Sequence, residues 1–253
     1  MDSPWGHTMR FRYGLALTLV VGTLLVAYVS FRLYAPPTCF DAKQNGDETG
    51  VDCGGKCLAV CTQNTPPLSV AWALPFKVSE GKWHLLAYVE NPNEKLFSRS
   101  IAYKFEWYDK FGTYRGEKKG TTYALRQSII PIFEGNIEAE DIARVVFTLD
   151  KTPAWEQVPY PQEVRVSGVR TEHSEQGGEA VRGDMHNEMP ETIRNVSAVA
   201  VVYGADKNAM AVSKTFIPEI RGYNSAPFMF VWPERFSQEV GRVEVFPLLE
   251  ERS

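Results

Sequence analysis

The residues in this 253-residue chain whose types and spacing best suit chemistry lie between Cys39 and Cys61. Counted from Asp41 as the first place, Asn45, Asp47, Thr49 and Asp52 take the fifth, seventh, ninth and twelfth places, with Gly46 at the sixth. That spacing approaches the loop that wraps oxygen ligands around calcium, where the sixth place needs a glycine for a sharp turn. Lys43 stands at the third place, where a ligand oxygen belongs, and Asp52 replaces the longer bidentate Glu. The competing reading is that the same Asp and Asn side chains cap turns in a spacer. Cys39, Cys53, Cys57 and Cys61 are all the cysteines of the chain. An even, clustered set reads as disulfides formed in an oxidising compartment, with the pairing left open. Four thiolates around zinc is the alternative, although the C-x3-C-x3-C tail is looser than the paired C-x2-C knuckles of zinc sites.

Elsewhere the chemistry thins out. His7, His84, His173 and His186 are the only histidines, and no Ser or Cys nucleophile is recognisably paired with His173. Glu134, Glu138, Glu140 and Asp141 form an acidic run that reads as a solvated loop rather than a carboxylate pair for glycoside hydrolysis. No phosphate loop or dinucleotide glycine pattern occurs. Trp72, Trp83, Trp107, Trp155 and Trp232 read mostly as core, with Trp155, between Pro153 and Pro159, expected at the surface. Asn195-Val196-Ser197 is a glycosylation sequon. The net charge of -4 and the lack of a basic block argue against nucleic acid as a partner. The expectation is a chain without catalysis and without a cofactor, calcium at the neck loop excepted.

The element that must position everything else is Tyr13 to Tyr34, uncharged until Arg32. At about 1.5 Å per residue, such a helix matches the thickness of a bilayer's hydrocarbon layer. A cleaved secretory signal would be shorter and would end in small residues, whereas Phe31, Leu33 and Tyr34 follow here. Arg10 and Arg12 ahead of it, against Arg32 behind, favour a cytoplasmic N-terminus. The expected layout is a cytoplasmic tail over residues 1–12, a transmembrane helix over 13–34 and a cysteine-rich neck over 35–67. Two extracytoplasmic β domains, 68–161 and 162–253, follow.

The neck has the wording C-x-D-x3-N-G-D-E-T-x-x-D-C-G-G-x-C across Cys39, Asp41, Asn45 to Thr49 and Asp52 to Cys57. It resembles a short cysteine-rich module of bacterial secreted and surface proteins, and the resemblance implies no activity. Beyond it, Tyr103, Phe105 and Trp107 alternate with Lys104 and Glu106, the period of a half-buried strand. Short apolar runs punctuated by Gly and Pro indicate antiparallel sandwiches. The order then repeats. Val196 to Tyr203 mirrors Ile101 to Tyr108, Asn187 mirrors Asn91, and the spacing from Trp232 to Phe246 equals that from Phe133 to Phe147. The expected fold class is all-β: two tandem immunoglobulin-like sandwiches joined near Tyr160-Pro161, behind one transmembrane helix and a disulfide-rich turn segment.

Val89-Glu90-Asn91-Pro92-Asn93 with Trp107-Tyr108-Asp109-Lys110-Phe111-Gly112 is similar to the LEA14-like (WHy) and FxLYD families of small immunoglobulin-like sandwiches. The second copy, Gly183 to Asn187 with Val202 to Asp206, departs from that pattern at Gly204, where Asp is expected. The resemblance implies an extracytoplasmic, non-enzymatic protein that works through an envelope protein partner. A ligand-binding or adhesion module, calcium-dependent through the neck, is the other expectation.

Overall fold

The computed structural model describes residues 4–33, 36–61, 65–94, 96–124, 128–149, 153–157, 164–173 and 177–249. Its contacts divide the chain into two units, Met1–Cys57 and Leu58–Ser253.

In the first unit, α1 (Pro4–Leu33) begins on a proline, whose missing N–H costs nothing at a helix start. Its stretch Arg12–Arg32 is apolar and wholly unburied by protein. The two threonine hydroxyls within it turn back on the helix: Thr18 donates to the Gly14 carbonyl at 2.8 Å and Thr23 to that of Leu19 at 2.9 Å. Such internal satisfaction is what a polar group inside hydrocarbon requires. The neck that follows, over 36–57, is built of turns, as its Gly and Asx content dictates.

The second unit is a set of antiparallel sheets. Its first half holds β1 (Ser69–Ser79), β2 (Lys82–Asn91), β3 (Leu96–Tyr108), β4 (Tyr114–Ala124), β5 (Ser128–Glu138), β6 (Arg144–Leu149) and the short β7 (Glu156–Gln157). Its second half holds β8 (Val164–His173), β9 (Glu179–Asn187), β10 (Ile193–Gly204), β11 (Ala209–Ile220), β12 (Ser225–Trp232) and β13 (Val240–Leu248). The strand orders are β1-β2-β5 and β4-β3-β6 in the first half, β8-β9-β12 and β11-β10-β13 in the second. Strand for strand, these are the same two sheets. The chain is therefore all-β with one N-terminal helix, arranged as β-sandwiches. The junction expected near Tyr160-Pro161 lies outside the described residues.

Edge chemistry explains which strand sits where. The prolines within strands, Pro75, Pro131, Pro218, Pro227 and Pro247, all fall on β1, β5, β11, β12 and β13, which flank the central strands. A proline cannot donate to a ladder on both sides, so it is tolerated only there. Both halves also close the β2–β3 type of connection with one buried asparagine. Asn91 donates from Nδ2 to the Leu96 carbonyl and accepts on Oδ1 from the Asn93 backbone N–H at 3.0 Å. Asn187 donates to the carbonyls of Glu191, Ile220 and Arg221 and accepts from Met189 N–H. In each, an amide side chain stands in for ladder bonds that the chain gives up as it turns.

The hairpin turns match as well. Asp109 N–H donates to the Thr113 carbonyl and Gly112 N–H to that of Asp109; Gly204 N–H donates to Asn208 and Lys207 N–H to Gly204. Gly112 and Lys207 share a left-handed φ, 78° and 67°. Asp109 clasps its turn by accepting from Phe111 and Thr113 N–H, and burial, which would raise its carboxyl, is outweighed by these bonds and Arg115, so its pKa is lowered. Gly204 has no side chain to do this, and Asp206 takes over by accepting from Asn208 N–H at 3.0 Å.

Two expectations are corrected here. Glu134 and Glu138 lie in β5 rather than in a loop. Trp155 is buried, 4% exposed, within the first core. Its backbone carbonyl accepts from Val60 N–H and Ala59 bridges Glu156, which ties this stretch to the segment leaving the neck. Strands β4 and β11 have no counterpart in the periodic reading; β4, as an edge strand, carries Arg, Lys, Glu and Thr in place of an apolar run.

Candidate functional site

The neck brings its candidate ligands close in sequence but spends them on the backbone. Asp52 accepts from the N–H groups of Asp41 at 3.0 Å and Ala42 at 2.9 Å. Asp41 accepts from Lys43 N–H at 3.0 Å and from Asn45 Nδ2 at 2.8 Å. The bond from Asn45 leads the contributions that hold the Asp41 carboxyl below its ordinary pKa. Asp47 pairs with Lys56 Nζ at 2.6 Å, and its pKa is lowered by that bond. Thr49 is fixed through its N–H, which donates to the Cys53 carbonyl at 3.1 Å. A cation would have to displace N–H donors from both Asp41 and Asp52. One atom runs the other way: Asn45 Oδ1 is buried and has no hydrogen-bond partner among the described residues.

The cysteines are oxidised. Cys39 and Cys57 are joined with their Cα atoms 5.7 Å apart, Cys53 and Cys61 are disulfide-bonded too, and none is free. The zinc alternative has no thiolates to use. Glu48 stands beside Cys39 and Cys57 in a grouping that resembles a metal triad, but two of its three members are tied in a disulfide. The Gly-Gly pair after Cys53 is needed for shape: both residues have left-handed φ, and a Cβ on Gly55 would run into the Asp47 carbonyl.

Among the histidines, two acquire partners that the sequence did not suggest. His186 on β9 lies 2.7 Å through Nε2 from Ser167 Oγ on β8, a Ser–His contact across a ladder. Among the described residues no carboxylate bonds the other ring nitrogen, so the third member of a triad is missing. His173 places Nδ1 2.9 Å from the buried carboxylate of Glu179. His84 is packed edge-on to Phe133, and burial lowers its pKa.

The largest constellation that sequence reading missed lies between the halves of the second unit. On β2, Leu85, Ala87 and Val89 face the first core, while Leu86 and Tyr88 point outward. On β10, Ala198, Ala200 and Val202 face the second core, while Val199, Val201 and Tyr203 point outward. The outward sets meet, and Leu86, Val199, Val201 and Tyr203 form one buried cluster with Phe76 and Val212. Tyr88 meets Phe246 edge-to-face at 5.8 Å and stacks on Trp72 at 5.0 Å. Both phenols donate to Glu244 Oε2, Tyr203 at 2.9 Å and Tyr88 at 3.3 Å. Burial, then Glu244, pushes the Tyr88 phenol up to about 12 and raises that of Tyr203 as well. The signal was present: Leu85 to Val89 and Ala198 to Tyr203 are unbroken apolar runs, the mark of strands covered on both faces.

No family model matches the chain, and no curated protein matches it. Among solved structures, red sea bream transglutaminase aligns at 12% identity with TM-score 0.25, over 74% of this chain and 31% of that one. The CBM22-1-CBM22-2 tandem domain of Paenibacillus barcinonensis Xyn10C aligns at 9% identity with TM-score 0.15, over 76% and 88%. A Bacillus subtilis oxalate decarboxylase variant aligns at 10% identity with TM-score 0.11, over 74% and 78%. Likenesses this distant carry no argument about what this chain does.

Proposed function

We propose that the chain is a single-pass envelope protein, with α1 as an uncleaved anchor, its N-terminus in the cytoplasm and its sandwiches displayed outside. The observation that carries this reading is an apolar helix with no protein packed on it, followed at once by a segment of oxidised cysteines. Disulfides persist outside the reducing cytoplasm, which supports a neck on the extracytoplasmic side. The role is structural or protein-binding, toward another envelope protein. Exposed apolar side chains on edge strands, Phe216 on β11 with Met229 and Val231 on β12, support it, since free edges invite a partner strand. Protease added outside intact cells is expected to remove the sandwiches and leave a protected fragment that includes α1. Recovery of a secreted chain beginning beyond residue 33 would instead establish a cleaved signal.

A second reading, a calcium-dependent ligand-binding or adhesion module, rests on the orphaned Asn45 Oδ1 beside Asp41. Calorimetric titration of calcium into the full chain tests it. Saturable heat that disappears in Asp41→Ala supports this reading, and no heat dismisses it.

A further inference from the structure

A cleft of about 380 Å³ opens where the two sandwiches meet, walled by strands of both halves. That volume lies within the range of small-molecule sites. Four aromatic residues, Phe97, Tyr103, Tyr123 and Phe133, line its first-half side, and Thr122 and Asn195 add polar groups from opposite halves. Two cations reach it, one from each sandwich. Arg99 is aimed by its own Nε, which donates to both oxygens of Glu156 at 3.1 and 3.0 Å. Lys214, exposed on β11, has no anionic partner among the described residues. The Tyr103 hydroxyl is committed to Glu134 at 2.7 Å, which fixes the ring.

We propose that this cleft binds an acidic saccharide. A sugar ring offers an apolar C–H face to aromatic side chains and hydroxyls to amide and hydroxyl groups. A carboxylate on the sugar would satisfy the unpaired Lys214 ammonium in a charge-assisted bond, with Arg99 lining the same cleft. One unpaired cation, beside an arginine already paired with Glu156, suits a short ligand of low charge, whereas a nucleic-acid strand would need a longer basic track. The inference goes beyond the envelope role and does not depend on the neck or on calcium.

The test is calorimetric titration of the full chain in detergent with trigalacturonate, and with neutral galactotriose for comparison. Saturable binding of the acidic trimer is expected, at least tenfold tighter than that of the neutral one. Lys214→Glu should weaken it at least tenfold and Lys214→Arg should preserve it. Since Lys214 is exposed and unpaired, neither change threatens folding. Thr122→Trp, which fills the cleft, should abolish binding, with an unchanged circular dichroism spectrum confirming the fold. Equal affinity for both trimers, an unchanged response in Lys214→Glu, or no saturable heat would overturn the proposal. Binding of hexa-aspartate in place of trigalacturonate would overturn it too, in favour of an acidic peptide.

Discussion

The two sandwiches share strand order, turn hydrogen bonds and a capping asparagine, yet their outer faces are opposites. Aligned on Asn91 and Asn187, Leu86 and Tyr88 of β2 stand where β9 has Arg182 and Asp184. Aligned on Tyr108 and Tyr203, Lys104 and Glu106 of β3 stand where β10 has Val199 and Val201. Each half is thus apolar on the one outer face that meets the other half, and charged on the face that does not. Inner-face residues record the fold that the copies share. Outer-face residues record where each copy sits, and here they make two sandwiches into one packed body.

The largest test of this contrast is a charge in the shared face. Leu86→Asp or Val201→Asp should cost about 3–5 kcal/mol, the scale of an uncompensated buried charge, measured by urea unfolding. Next come the asparagines. Asn187→Ala strands three carbonyls that Asn187 now satisfies, and should cost about 2–3 kcal/mol. Asn91→Ala, which strands the Leu96 carbonyl, should cost about 1–2 kcal/mol.

A smaller effect is expected at Glu244. Glu244→Gln keeps an acceptor for the two phenols but removes its charge, and should cost about 1 kcal/mol. The Tyr88 phenol titrates at about 12 in the folded chain, above its ordinary value of 10. A group raised on folding stabilises below its unfolded pKa, so this contribution is intact at neutral pH and lost as pH climbs from 10 through about 12. Ultraviolet titration of tyrosinate should show that window narrowing in Glu244→Gln. The smallest effect belongs to Glu106→Val, which gives the solvated face of β3 the residue that β10 carries. It should change stability by about 0.5 kcal/mol or less.

Much of this architecture is legible in the residues, for identifiable reasons. Central strands with one solvated face declare themselves by alternation, as Tyr103 to Trp107 does. The apolar runs at Leu85–Val89 and Ala198–Tyr203 are equally legible as strands, but continuity names only burial on two sides, not what provides the second cover. Edge strand β4 escapes because its polarity serves to blunt an edge, which looks like a loop in a linear reading. Trp155 escapes because two flanking prolines suggest a surface loop, whereas pairing with Val60 is a contact made across almost the whole first sandwich. The neck shows the opposite limit. Its Asp and Asn spacing is visible at once, but the same residues serve a cation or the backbone equally well, and only the positions of the N–H groups show which they now hold.

The most direct test of the packed body is unfolding of the full chain in detergent with fluorinated tryptophan. Trp107 and Trp155 report the first core and Trp232 the second. The account predicts one shared urea midpoint for all three resonances in the native chain, splitting into two midpoints in Leu86→Asp. Separate midpoints in the native chain, with Leu86→Asp shifting only the first, would contradict it.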